Sequence, residues 1–155
     1  MRYDAELKQY PQLLHFIQQH FTFIGVCPEV EMGLNVPRPP VQLSGTLNHI
    51  KMRGRDDASI DVTDKMQNYC QQRAPQLNSI CGYIFKSQSP SCGIKDIPLF
   101  DDDKIINVTR GLFANAILQH YPKLPITDEQ GLKTSAQCND FLHRVKQHQQ
   151  TNNDN

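Results

Sequence analysis

The run Gly82-Tyr83-Ile84-Phe85-Lys86-Ser87-Gln88-Ser89-Pro90-Ser91-Cys92-Gly93 constrains this chain more than any other stretch. Tyr83, Ile84 and Phe85 are strand formers in a brief apolar run, the pattern of a short strand covered on both faces. The character then changes at once. A proline of set φ, two short hydroxyls, a thiol and a permissive glycine suit a tight loop with exposed backbone N–H groups. Phe21-Thr22-Phe23-Ile24-Gly25-Val26 repeats the layout, reading as a strand that ends in Cys27-Pro28-Glu29. Two strands that each deliver a cysteine turn imply a site as well as a core.

The remaining chain alternates helices with short strands. Leu13, Leu14, Phe16 and Ile17 recur at helical spacing after Pro11, which predicts a helix over about residues 11–20. Residues 27–40, with four prolines and one glycine, read as a rigid extended loop. Val41 to Leu43 reads as a short edge strand, and the polar, mixed-charge Lys51 to Asp57 as a loop. Asp61 or Thr63 caps a helix to about Arg73, with Met66, Tyr69 and Cys70 on one face. Ile97 to Phe100 and Ile105 to Val108 form a hairpin around Asp101-Asp102-Asp103. A helix from Gly111 to His120 and a strand from Leu124 to Thr127 follow. Thr134 or Ser135 caps a last helix that turns Cys138, Phe141, Leu142 and Val145 inward.

This alternation predicts an α/β fold with a doubly wound, mainly parallel, Rossmann-like sheet flanked by helices. Ligands of such sheets sit beyond the carboxyl ends of the strands, where Cys27 and Cys92 both fall. Arg2-Tyr3-Asp4 has no strand before it, so the first strand of the sheet is expected to be missing. Residues 1–146 read as one domain, followed by a polar, disordered tail over residues 147–155.

Lys+Arg and Asp+Glu both number 16, so no net positive field gathers nucleic acid, and a small-molecule partner is favoured. No apolar run approaches the roughly 20 residues of a membrane span, and the start lacks the pattern of a signal peptide, which predicts a cytoplasmic protein. Five cysteines, an odd number, read as thiols or metal ligands and not as a disulfide framework. Cys70 and Cys138 lie on apolar helix faces and read as core. Cys81 precedes the strand that Cys92 follows, roughly 17 Å away, and is structural by the same reasoning.

Cys27 and Cys92 stand on no apolar face, and a ligand role is favoured for them. Glu29, two residues after Cys27, is either a solvated carboxylate or a group that holds or moves a proton in the same crevice. Ser89 and Ser91 either shape the turn or touch a ligand. Arg38, between prolines, pairs with a nearby acid or contacts an anion. The six histidines show no ligand spacing.

Cys27-Pro28-Glu29-Val30-Glu31-Met32-Gly33-Leu34, Pro37-Arg38-Pro39-Pro40, Asp61-Val62-Thr63 and Lys86 to Gly93, after an opening Arg2-Tyr3-Asp4, resemble in order a bacterial family that includes 2-thiouracil desulfurase. The resemblance covers roughly residues 1–145 and implies a [4Fe-4S] cluster held by three cysteines with one iron open. It makes Cys27 and Cys92 two of those ligands. Glu29 is then the acid/base group, and Ser89 or Ser91 contacts substrate or cluster. The implied reaction converts C=S to C=O in a thiolated nucleobase or related thioamide without net redox change. Family members carry a strand ending in Cys-Leu-Leu-Gly before the Arg-Tyr-Asp segment. Its cysteine is the third ligand, and the resemblance implies that this sequence starts too late to include it. Two other readings stand beside the enzyme: a cluster-free remnant that binds a small molecule or partner, and a zinc site of Cys27, Cys92 and Glu29 or a histidine.

Overall fold

The computed structural model describes residues 11–153. The expectations placed on Arg2-Tyr3-Asp4 lie outside the described residues. Helix α1 (Pro11–His20) forms as its apolar spacing predicts, with Pro11 in the first turn, where its missing N–H costs nothing. It buries Leu13 and Ile17 against Phe141 and Val145 of α5 (Ser135–Asn153).

The described strands form two sheets. β1 (Val41–Thr46) and β2 (His49–Gly54) are one antiparallel hairpin, β4 (Ile97–Asp101) and β5 (Lys104–Thr109) another. β1 runs parallel to β4, with Leu43 opposite Leu99, so the sheet order is β2-β1-β4-β5. β3 (Tyr83–Phe85) pairs in parallel with β6 (Ile126–Asp128) in a separate two-stranded sheet. The α/β class holds, while the parallel order expected of a doubly wound sheet is met only by the β1–β4 and β3–β6 pairs.

Several sequence readings change. Val41 to Leu43, read as an edge strand, opens β1 between β2 and β4. The loop expected over residues 27–40 contains a helical turn at Pro28–Glu31. Lys51 to Asp57 is not all loop, because residues to Gly54 belong to β2: Lys51 and Arg53 alternate with Met52, which points inward and is fully buried. Phe21 to Val26 forms no strand, though its composition suits one. A strand needs a ladder partner, and no described strand pairs with this segment.

Helix α3 (Thr63–Gln76) begins where Asp61 Oδ1 accepts the Thr63 hydroxyl at 2.6 Å and its N–H at 3.0 Å. The Thr63 hydroxyl is the main cause that holds the Asp61 carboxyl down at about 2. Met66, Cys70 and Ala74 of α3 pack with Leu43, Met52 and Leu99 of the larger sheet and with Phe113 and Ile117 of α4 (Leu112–His120). Each large side chain buried there contributes about 1.5–3 kcal/mol, so this layer is the rigid base of the molecule.

Helix α5 opens on a capping box: Thr134 Oγ1 accepts the Gln137 N–H at 3.2 Å, and Gln137 Oε1 accepts the Thr134 N–H at 3.1 Å. The helix then runs to Asn153, so residues 147–153, expected as a disordered tail, are helical. Extending a started helix costs little, and Gln147, Gln149 and Gln150 are good helix formers. No helix among the described residues is long and apolar enough to cross a membrane.

Candidate functional site

Cys27 occupies the N-cap position of a single helical turn, α2 (Pro28–Glu31), with extended backbone at φ −120° and ψ 96°. Pro28 suits the next position because its ring presets φ and its absent N–H would have had no helical partner. Gly33, at φ +101°, takes the chain out of the turn in a conformation that a side chain would strain. Glu31 ties α2 to α3, its Oε2 accepting Tyr69 Oη at 2.7 Å and Arg73 Nε at 3.1 Å.

The second wall is the turn after β3. Ser89 Oγ accepts the N–H groups of Ser91 at 3.3 Å and Cys92 at 3.1 Å, while Ser89 O accepts the Gly93 N–H at 2.8 Å. Helix α4 holds this turn from below. The N–H groups at its start have no acceptor within the helix. Leu112 N–H donates to Pro90 O at 3.0 Å, and the N–H groups of Phe113 and Ala114 donate to Ser91 O at 2.9 and 3.0 Å. The approach is close enough that a Cβ on Gly111 would stand 2.5 Å from Ser91 C and 2.8 Å from Cys92 N.

The two walls meet through side chains. Ser91 Oγ donates to Glu29 Oε1 at 2.7 Å, and Ser89 Oγ lies 3.2 Å from Ser91 Oγ. Arg38 Nε donates to Glu29 Oε2 at 2.6 Å, with the Arg38 and Glu29 side chains only 8% and 13% exposed. The acid that Arg38 pairs with is therefore Glu29. Arg38 Nη1 is buried with no partner among the described residues, which leaves a donor at the site with capacity to spare.

Cys27 and Cys92 are both half-buried and free of disulfide. Burial, then the nearby Glu29 carboxylate, then Cys27, push the Cys92 thiol up to about 12, against smaller opposing effects of the Ser89 and Ser91 hydroxyls. A bound cation would reverse that balance. All five residues singled out from sequence, Cys27, Glu29, Ser89, Ser91 and Cys92, thus come together. The other cysteines stay away: Cys70 is in the core, where burial raises its thiol to about 11, and Cys138 Sγ donates to Leu132 O at 3.4 Å. Cys81 stands at the opposite end of β3 from Cys92.

Sequence reasoning missed a second polar group at the carboxyl ends of β3 and β6. Glu129 Oε1 accepts Lys86 Nζ at 2.7 Å and Ser87 Oγ at 2.5 Å, and its Oε2 accepts the Ser87 N–H at 2.9 Å. Burial opposes the Glu129 charge, but these donors outweigh it and hold the carboxyl at about 2. The available signal was positional: Glu129 directly follows a parallel strand, where such sheets place their ligands. A groove of about 620 Å³ runs between Phe21–Val26 and β3, floored by Phe141 and Val145 and bordered by Lys86, Cys92 and Glu129.

The donor set can be weighed against a three-cysteine cluster. Two thiols converge, and no group of three or more His, Cys, Asp or Glu side chains among the described residues is arranged to hold a metal ion. Cys27 and Cys92 fit a thiolate-ligated group as far as they go, and a third thiolate is not among the described residues. Among the described residues, neither Glu29 nor a histidine joins Cys27 and Cys92 in the three-ligand group that the zinc alternative needs.

A search of curated proteins returned no match. Among solved structures, the chain is similar to the [4Fe-4S]-dependent thiouracil desulfidase TudS, with a TM-score of 0.58 and 21% identity over 77% of this chain and 76% of that one. At that identity the likeness speaks for a shared fold. The family described as 2-thiouracil desulfurase matches residues 1–129, which include both cysteine turns, Arg38 and Glu129. By that match, the chain belongs to the 2-thiouracil desulfurase family.

Proposed function

We propose that this chain carries a desulfurase site for a thiolated pyrimidine or related thioamide. The reaction replaces the sulfur of C=S by the oxygen of water, and sulfur leaves as hydrosulfide with no net change of oxidation state. The observation that carries the reading is the Ser91–Glu29 hydrogen bond, which joins the two cysteine turns of a family member into one site. Cys27 and Cys92 would hold the [4Fe-4S] cluster named for the structural neighbour, which when bound supplies a Lewis-acidic iron.

The chain's own residues do the rest. Glu29 is the proton-handling group, its Oε1 in contact with a hydroxyl that can relay a proton and its Oε2 anchored by Arg38. Ser89 orders the Cys92 backbone, and Ser91 orients Glu29. The groove beside β3 has the size and apolar lining of a small-molecule site, and Lys86 and Glu129 give its border a polar edge.

A second reading is favoured by the pair of thiols standing without a third among the described residues: a cluster-free domain of the same family that binds a small molecule or partner. The test is iron and acid-labile sulfide per chain after anaerobic reconstitution, for this chain and for one extended upstream by a cysteine-bearing strand, with 2-thiouracil turnover followed alongside. About four irons and turnover in either form support the desulfurase. Colourless protein in both forms, still binding thiouracil, supports the cluster-free reading.

A further inference from the structure

The two edges of the larger sheet are built differently. On β2 the outer residues are Lys51 and Arg53, and Arg53 bridges back to Asp61, with Nε to Oδ2 at 3.0 Å. Charge and a covering segment are how proteins keep an edge strand from pairing with another molecule. β5 is the opposite edge and lacks both devices along its middle. Its exposure does not alternate: Ile105, Ile106 and Val108 are 61%, 48% and 50% exposed, so apolar side chains face water on both faces of one six-residue strand. Such a strand presents backbone donors and acceptors between β-branched side chains, with the Val108 N–H held by Asn107 Oδ1 at 2.9 Å.

We propose that β5 is a self-association edge, at which a second copy of this chain adds antiparallel across a two-fold axis near Ile106. A two-fold perpendicular to the sheet keeps each side chain on its own face, so facing residue numbers must add to an even total. Centring the axis on Ile106 sets Ile106 against Ile106 of the other copy, with Val108 of each copy against Lys104 of the other at either end of the same row. On the other face Ile105 meets Asn107. The register also sets Arg110 of each copy at the acidic turn Asp101-Asp102-Asp103 of the other, both exposed here. Moving the axis to Asn107 would instead set Lys104 against Arg110, two like charges. Charge complementarity therefore selects one register and one occupant, and the pairing is isologous, as two-fold interfaces are.

The proposal is tested by sedimentation of the full chain across a concentration series at low and moderate salt. The expected result is a monomer–dimer equilibrium that weakens several-fold as salt rises. Ile106→Lys, at an exposed position, should shift dissociation at least tenfold while the circular dichroism and melting temperature stay as in the wild type. Arg110→Asp should weaken the dimer, and Arg110→Asp combined with Asp102→Lys should recover part of the loss. A chain that is monomeric at every concentration, or a dimer indifferent to Ile106→Lys, overturns the proposal.

Discussion

Glu29 and Ser91 are 62 positions apart, yet Ser91 Oγ donates to Glu29 Oε1 at 2.7 Å. One hydrogen bond thus spans the two turns that carry Cys27 and Cys92, and it fixes the Glu29 oxygen nearest the cysteine turn that follows β3. If Glu29 handles the proton of a desulfuration, its orientation matters as much as its presence. Ser91→Ala should lower thiouracil turnover about tenfold, and Glu29→Gln by about 10²–10⁴-fold, with iron per chain unchanged in both. Loss of iron in Glu29→Gln would assign the carboxylate to ligand binding instead.

The Arg38–Glu29 pair also makes a stability prediction that needs no cofactor. Both side chains are nearly out of water, so removing one leaves a buried, unpaired charge. Arg38→Met should cost about 3–5 kcal/mol in urea unfolding, and the double variant Arg38→Met/Glu29→Gln should cost clearly less than Arg38→Met alone. Equal losses in the two would mean that Arg38 acts by packing only.

Gly111 lies under the cysteine turn, where an added Cβ would overlap the Ser91 and Cys92 backbone. Gly111→Ala should destabilise the chain by about 2–4 kcal/mol through overpacking, or shift the turn and reduce iron uptake. Gly33→Ala serves as the contrast, because it meets no neighbouring atom and carries only the strain of its positive φ. Iron uptake in Gly33→Ala should therefore stay closer to the wild type.

Glu129 ties the end of β6 to Lys86 and Ser87, and its carboxyl is held at about 2 against an ordinary 4.5. A folded-state value below the unfolded one means stability that is fully present above about pH 5 and is lost as pH falls toward 2. The wild type should exceed Glu129→Gln by about 1–3 kcal/mol near neutrality, and the difference should shrink through that acid window. A difference that is flat with pH would show that the charge of Glu129 contributes nothing.

On the proposed desulfurase reading the cysteines separate by role in the cluster-holding form. Cys27→Ser and Cys92→Ser should each abolish cluster retention, whereas Cys138→Ser should leave iron per chain unchanged. Cys70, whose thiol burial raises to about 11, should resist alkylation at pH 8 until the chain unfolds, and half-buried Cys81 should react first among the three outside the site.

Several elements were legible because their causes are local. Pro11 and the apolar spacing behind it wrote α1, Thr134 with Gln137 wrote the start of α5, and the three aspartates marked the turn between β4 and β5. The turn after β3 was legible too, while the Cys27 segment, read as an extended loop after a strand, is a helical turn with no strand before it. What the tertiary structure decided depends on partners distant in sequence. Lys51 to Gly54 became a strand because β1 supplies its ladder, and Phe21 to Val26 did not because no described strand pairs with it. Arg38 found Glu29, and Glu129 found Lys86 and Ser87 across 43 and 42 positions, separations at which no local pattern names the partner. Residue types specify which groups can bond, and only the packing of α4 beneath the second turn and α3 behind the first decides which of them meet.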